Sequence, residues 1–171
     1  MKEKNPQGKN NSSFGNGISP EGKGKIRQGY SVQEESLRIL HVDDDALFLQ
    51  ASRALMILES KNKFEIDTAT SVDEALNKLK THSYDAVVSD YEMPLKNGLD
   101  FLTELREQKN SIAFIIFTGK DQEQVAARAS NMGADQCINK SGSPEAVYAE
   151  LVDAIRKIVT ARKQARANEK V

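Results

Sequence analysis

The sequence predicts a doubly wound α/β sandwich, and two observations carry that prediction. From Leu37 onward, short apolar runs alternate with stretches of helical periodicity, and no self-similar repeat interrupts them. Three of the runs are apolar almost throughout, as strands buried on both faces must be. Five strands with five intervening or following helices, joined by right-handed crossovers, leave the carboxyl ends of the strands lining one crevice. Chemistry is to be sought there.

In chain order, the first strand is Leu37 to Val42, and it ends in Asp43-Asp44-Asp45. Asp45 reads as the cap of the following helix, with Ala46 as its first residue. The second strand is Phe64 to Ala69. Ser71 and Glu74 then stand at capping-box spacing, and Val72, Ala75, Leu76 and Leu79 form a helical stripe. Ala86 to Ser89 is the third strand, followed by Asp90, Tyr91-Glu92-Met93-Pro94 and a turn at Asn97-Gly98. The fourth is Ile112 to Thr118, after which Asp121 precedes a Gln/Glu-rich first turn and the stripe Val125, Ala129, Met132. The fifth is Gln136 to Asn139. Ser143-Pro144 puts proline at the first position of the last helix, whose stripe is Val147, Leu151, Ile155 and Ile158.

Charge divides the 171 residues into three parts: residues 1–36 carry net +2, residues 37–159 carry −6 and residues 160–171 carry +3. The first part holds six of the ten glycines and few large apolar residues, a composition that cannot offset its ordering entropy, so it is expected to be a disordered tail. The last part, with Arg162, Lys163, Arg166 and Lys170, is expected to be a basic helix extension or tail; with four cations and no aromatic residues, nucleic acid is not the expected partner. The dozen or so residues after Val159 are expected to be too few for a further folded domain. One cysteine, Cys137, and two distant histidines exclude a disulfide framework and a Cys/His zinc site. The longest apolar run, Ile112 to Phe117, is far short of the roughly 20 residues a membrane helix needs, and no signal core follows Met1. A cytoplasmic location is expected.

The strand ends carry the chemistry. Adjacent carboxylates repel one another and need a cation nearby. Asp90 stands at the end of the third strand, the Thr118 hydroxyl and Gly119 at the end of the fourth, and Lys140 at the end of the fifth. An oxygen-ligated cation, one further carboxylate, a hydroxyl and an ammonium around one point suit phosphoryl transfer. Asp90 is the expected nucleophile. Mg2+ takes one or two carboxylates and keeps several waters, so Asp44 and Asp90 fit as direct ligands and Asp43 as a water-mediated one.

Over about Leu37 to Val159 these residues resemble the receiver domain of two-component response regulators. The similarity rests on Asp43-Asp44 after an apolar strand, Asp90-Tyr-Glu-Met-Pro-(x)3-Gly98, Thr118-Gly119 and Lys140, in the family's order and spacing. It implies a flavodoxin-like sheet of order 2-1-3-4-5. By resemblance, Asp43 and Asp44 form the acidic pair, Asp90 is the phosphoacceptor and Thr118 the switch hydroxyl. Lys140 contacts the phosphate, and the backbone carbonyl of Glu92 completes a Mg2+ site. The resemblance also implies a sensor histidine kinase as donor, and a downstream protein or self-association through the face made by the fourth helix, fifth strand and fifth helix. The protein would be a phosphoacceptor rather than a turnover enzyme. Two positions depart from the family pattern: Ser141-Gly142 follow Lys140 where proline is usual, as in some stand-alone archaeal receivers, and Cys137 stands where an aromatic is usual.

Other readings account for less. A haloacid-dehalogenase-like phosphatase would use Asp43-x-Asp45, but the chain lacks room for a cap and a late acidic pair. An EF-hand fails because the loop after Asp43 has no glycine at its sixth position. A phosphorylation-independent scaffold keeps the fold but leaves the acidic pair, Asp90, Thr118 and Lys140 without a use. His41 and Cys137 read as buried structural residues. Glu92 and Lys120 are expected to meet above the phosphoryl group.

Overall fold

The computed structural model describes residues 36–119 and 122–169. The tail expected over residues 1–36, apart from Ser36, lies outside the described residues, as do Lys120, Asp121 and Lys170. The elements are β1 (Leu37–Val42), α1 (Ala46–Glu59), β2 (Phe64–Ala69), α2 (Val72–Thr81), β3 (Ala86–Ser89), α3 (Gly98–Glu107), β4 (Ala113–Thr118), α4 (Gln122–Asn131), β5 (Gln136–Asn139) and α5 (Pro144–Asn168). The five strands form one parallel sheet in the order β2-β1-β3-β4-β5.

The near-continuous apolar strands are the central ones, and the reason is coverage of both faces. One face packs Ile39, Val88, Ile115, Phe117 and Ile138 against Met56 of α1 and Val147, Leu151 and Ile155 of α5. The other packs Leu40, Val42, Val87, Phe114 and Ile116 against Leu76 of α2, Leu99 and Leu102 of α3 and Val125 of α4. The edge strands β2 and β5 are only partly buried. On β2 the carbonyls of Ile66 and Thr68 accept from Arg53 Nε at 3.0 Å and from Lys78 Nζ, which blunts an edge open to further pairing.

The helix starts follow their side-chain signals. Asp45 caps α1, its Oδ1 accepting from the amides of Leu47 and Phe48 at 2.9 and 3.0 Å. Ser71 caps α2 by accepting from the Glu74 amide at 3.2 Å, but the expected reciprocal box does not close. The Glu74 carboxylate instead accepts from the amide and hydroxyl of Thr70, one residue earlier. The full capping box belongs to α3, where Asn97 and Asp100 exchange both bonds and Gly98 is the first helical residue rather than part of a turn. Ser143 caps α5 ahead of Pro144.

β4 begins one residue later than its apolar run. The Ile112 amide is held by Asn110 Oδ1 at 3.0 Å and its carbonyl by Arg106, so Ile112 belongs to the loop. α5 passes Val159 without a break. Arg162 donates to Asp135 Oδ1 from Nη2 at 2.6 Å and from Nε at 3.1 Å, and to the Ser111 carbonyl from Nη1, tying the helix to the loops before β4 and β5. Among the described residues, no helix is long and apolar enough to cross a membrane.

Candidate functional site

Parallel strands bring Asp43, Asp90, Thr118 and Lys140 to one end of the sheet. Asp43 continues β1, donating its amide to the Ala69 carbonyl at 3.1 Å, and Asp90 continues β3, donating to the Val42 carbonyl at 2.8 Å. The Lys140 amide donates to the Thr118 carbonyl at 2.8 Å. Backbone ladders thus set these residues before any side chain acts. The Asp90 carbonyl accepts from Ser89 Oγ at 2.9 Å, and its carboxylate accepts from the Glu92 amide.

At the centre is the Lys140 ammonium. Its Nζ lies 2.6 Å from Asp43 Oδ2 and 2.7 Å from Asp90 Oδ1. Asp43, Asp90 and Thr118 are buried, at 3%, 7% and 1% exposure, whereas Asp44 and the Glu92 side chain are exposed at the rim. Asp43 Oδ1 also accepts from the Asp45 amide at 2.9 Å. Of the adjacent acidic pair it is therefore Asp43 that faces Asp90 across the lysine. Asp45 is engaged as the α1 cap, which leaves the phosphatase reading without its second acid.

The electrostatics are poised rather than neutral. Burial pushes the Asp90 carboxyl above its ordinary value, and Asp43 adds to the rise against the opposing pull of Lys140. For Lys140, burial alone would lower the ammonium, but bonds to Asp43 and Asp90 more than reverse it and leave it raised. Three carboxylates, Asp43, Asp44 and Asp90, against one ammonium leave an excess of two negative charges at the strand ends. All the acidic donors are oxygens, the set a hard divalent cation such as Mg2+ prefers. Among the described residues no group of three or more His, Cys, Asp or Glu side chains converges to hold an ion unaided.

The other singled-out residues fall as follows. His41 is fully buried, its Nδ1 3.3 Å from Ser52 Oγ, and burial lowers its pKa from 6.5 to about 4. Cys137 is partly buried against the α2/α3/α4 face of the sheet, and burial raises its thiol pKa. Lys120, the expected partner of Glu92, lies outside the described residues. Two features carried no sequence signal: Ser89 Oγ on the Asp90 carbonyl, and the ring of Phe48 under Lys140, with Nζ 4.3 Å from its centroid.

A five-stranded parallel sheet of order 2-1-3-4-5 with this acid-lysine cluster at its carboxyl edge is a flavodoxin-like, receiver-type architecture. The chain belongs to the response regulator receiver domain family, whose sequence pattern matches residues 39–153. The response regulator SaeR of Staphylococcus aureus (strain USA300) is 33% identical over 126 residues, 74% of this chain and 52% of that protein. The chain thus spans about half the length of the curated relatives it matches. A receiver domain protein from Clostridium thermocellum aligns with a TM-score of 0.65 at 28% identity, covering 75% of this chain and 98% of the other. A LuxR-family two-component response regulator from Aurantimonas sp. SI85-9A1 aligns with a TM-score of 0.66 at 27% identity, covering 74% and 87%. The family is one of signalling domains.

Proposed function

We propose that this receiver takes a phosphoryl group from a sensor histidine kinase onto Asp90, in the cytoplasm, and signals by a phosphorylation-dependent change of its surface. The observation that carries the reading is the Asp43–Lys140–Asp90 cluster, with 2.6 and 2.7 Å contacts at the carboxyl edge of the sheet. An oxygen of the Asp90 carboxylate attacks phosphorus, the bond from phosphorus to the donor imidazole breaks, and the imidazole leaves with the electron pair and takes a proton.

Asp43, Asp44, Asp90 and the Glu92 carbonyl would hold Mg2+. When bound, the ion offsets the charge that accumulates on the phosphoryl oxygens. Lys140 releases one of its two carboxylate partners and turns to a phosphoryl oxygen. Thr118 offers its hydroxyl to another, and that charge-assisted bond biases the packing of α4, β5 and α5. This face would bind a downstream protein or a second copy of the chain.

The test is intact-mass measurement after incubation with Mg2+ and a small phosphodonor, followed by a peptide map. The expected result is one added phosphoryl group on the peptide carrying Asp90, and none in Asp90→Asn. Phosphate gained by the Asp90→Asn protein would overturn the assignment.

A further inference from the structure

The Lys140 ammonium sits above an aromatic floor as well as between two carboxylates. Its Nζ is 4.3 Å from the ring centroid of Phe48 and 5.6 Å from that of Phe117. The Phe48 and Phe117 centroids are 6.2 Å apart, and the buried His41 ring lies 6.0 Å from the first and 6.2 Å from the second. The floor is anchored from several elements. Phe117 belongs to β4 and is 1% exposed, and Phe48 stands in the first turn of α1, its amide bound by Asp45. A cation over a ring face is attracted to the negative quadrupole, more strongly where water is excluded.

This floor gives the ammonium a support, beside Asp43, that does not depend on Asp90. When Asp90 carries a phosphoryl group, its bond to Lys140 must break and re-form on a phosphoryl oxygen, so that partner is lost at the moment of reaction. Neither Asp43 nor the Phe48 ring is modified in that exchange, so neither contact has to be given up. After Lys140 the chain has Ser141-Gly142, and the Ser141 amide is held by Asn139 Oδ1 at 2.7 Å. The lysine backbone is thereby fixed by the β5 end, while the tip of its flexible stem is held by Asp43, Asp90 and the Phe48 ring.

We infer that Phe48 is a positioning residue, whose ring face holds the Lys140 ammonium at the phosphoryl site before and after Asp90 is modified. This rests on the receiver reading above, and it assigns to the first turn of α1 a part in setting how fast phosphate is taken up.

The experiment compares wild type, Phe48→Leu and Phe48→Tyr for uptake from a small phosphodonor at saturating Mg2+, each also in a Lys140→Met background. Phe48→Leu keeps apolar bulk and loses the ring face, so uptake should slow about fivefold, and Phe48→Tyr should restore it. With Lys140→Met the Phe48→Leu change should have no further effect on the residual rate, because the two act as one unit. An equal slowing in both backgrounds, or none in either, would overturn the inference.

A second readout needs no phosphate. In NMR spectra, the ε-methylene protons of Lys140 should be shifted upfield by the ring in wild type and Phe48→Tyr, and that shift should fall to the smaller contribution of the more distant Phe117 in Phe48→Leu. An undiminished shift in Phe48→Leu would overturn the inference. Failure of wild type to take up phosphate would overturn the receiver reading, while the NMR shift would still decide the placement of Lys140.

Discussion

Gly98 lies so close to the main chain of Asp90 that a β-carbon on it would stand 2.3 Å from the Asp90 carbonyl oxygen and 3.1 Å from the Ile116 side chain. The first residue of α3 is thus packed directly on the backbone of the expected acceptor. Gly98 also donates its amide to the Tyr91 carbonyl at 2.9 Å, closing the loop that carries Glu92.

Gly98→Ala should therefore destabilise the fold by about 2 kcal/mol, the scale of forced overpacking against atoms that cannot yield. It should also slow phosphate uptake, because the Asp90 backbone must move. Gly119→Ala is the matched control: among the described residues, nothing lies within 4 Å of a β-carbon there. Its stability should stay within about 0.5 kcal/mol of wild type. Urea unfolding curves check both, and equal stability of the two variants would refute the close-packing account.

Buried His41 predicts an acid sensitivity whose sign follows from its lowered pKa. The folded protein holds the imidazole at about 4 against 6.5 for the free side chain, because burial disfavours the cation. In that window the unfolded chain binds the proton more tightly, so stability rises as pH goes up from about 4 to 6.5 and is lost on the way down. The loss attributable to His41 is about 3 kcal/mol between neutrality and pH 4. His41→Phe should remove that part of the pH dependence. Denaturant midpoints across this range, taken as the difference between the two proteins, measure it, and parallel curves would show that His41 does not titrate on unfolding.

How far the sequence specifies this molecule depends on whether the determining interaction is local. β1, β2, β3 and β5 span the residues the sequence predicts for them, and Asp45, Ser71 and Ser143 cap the helices they precede. The site residues were legible because strand ends of a parallel sheet converge, so position along the chain implies position in space. Which acid of the adjacent pair meets Lys140 was not legible. Neighbouring residues point to opposite sides, and residue type cannot say whether Asp43 or Asp44 turns inward. The α3 capping box was legible in principle from Asn97 and Asp100, three residues apart, but Asn-Gly also reads as a turn. Phe48 under Lys140 joins residues 92 positions apart and left no local mark.

The far end of α5 should contribute to stability despite its charged composition. Arg162 binds Asp135, whose other oxygen accepts from the Phe114 amide at 2.8 Å, so one side chain links α5 to the start of β4. The pair is partly buried, with side-chain exposures of 32% and 16%. Arg162→Ala should cost about 1–2 kcal/mol, somewhat less than a fully buried charged hydrogen bond would. Exposed Arg166, one turn on, should be replaceable by alanine within about 0.5 kcal/mol. Thermal melts of the two variants test this, and a neutral Arg162→Ala would mean the end of the helix is merely solvated.

Thr118 should separate acceptance of phosphate from its readout. It is 1% exposed at the end of β4, paired in register with Asn139, while Ile116 pairs with Cys137. Alternation along β4 puts Thr118 on the same sheet face as Ile116, the face on which Cys137 packs with Val125 and Ala129 of α4. A hydroxyl drawn toward a phosphoryl oxygen on Asp90 would therefore be felt first at Cys137 and α4, where a smaller side chain than the family's usual aromatic leaves α4 as the element to respond. The hydroxyl takes no part in forming the bond to phosphorus, so Thr118→Ala should still gain one phosphoryl group. It should lose the phosphate-dependent gain in self-association or partner binding by about tenfold, the worth of one charge-assisted hydrogen bond. Sedimentation of wild type and variant, each with Mg2+ and with or without a phosphoryl mimic, measures the self-association arm, and pull-down of a partner measures the other. Equal phosphate-dependent gains in the two proteins would refute transmission through Thr118 and leave Asp90 as the acceptor, since the route of the signal and the site of modification would then be shown to be independent.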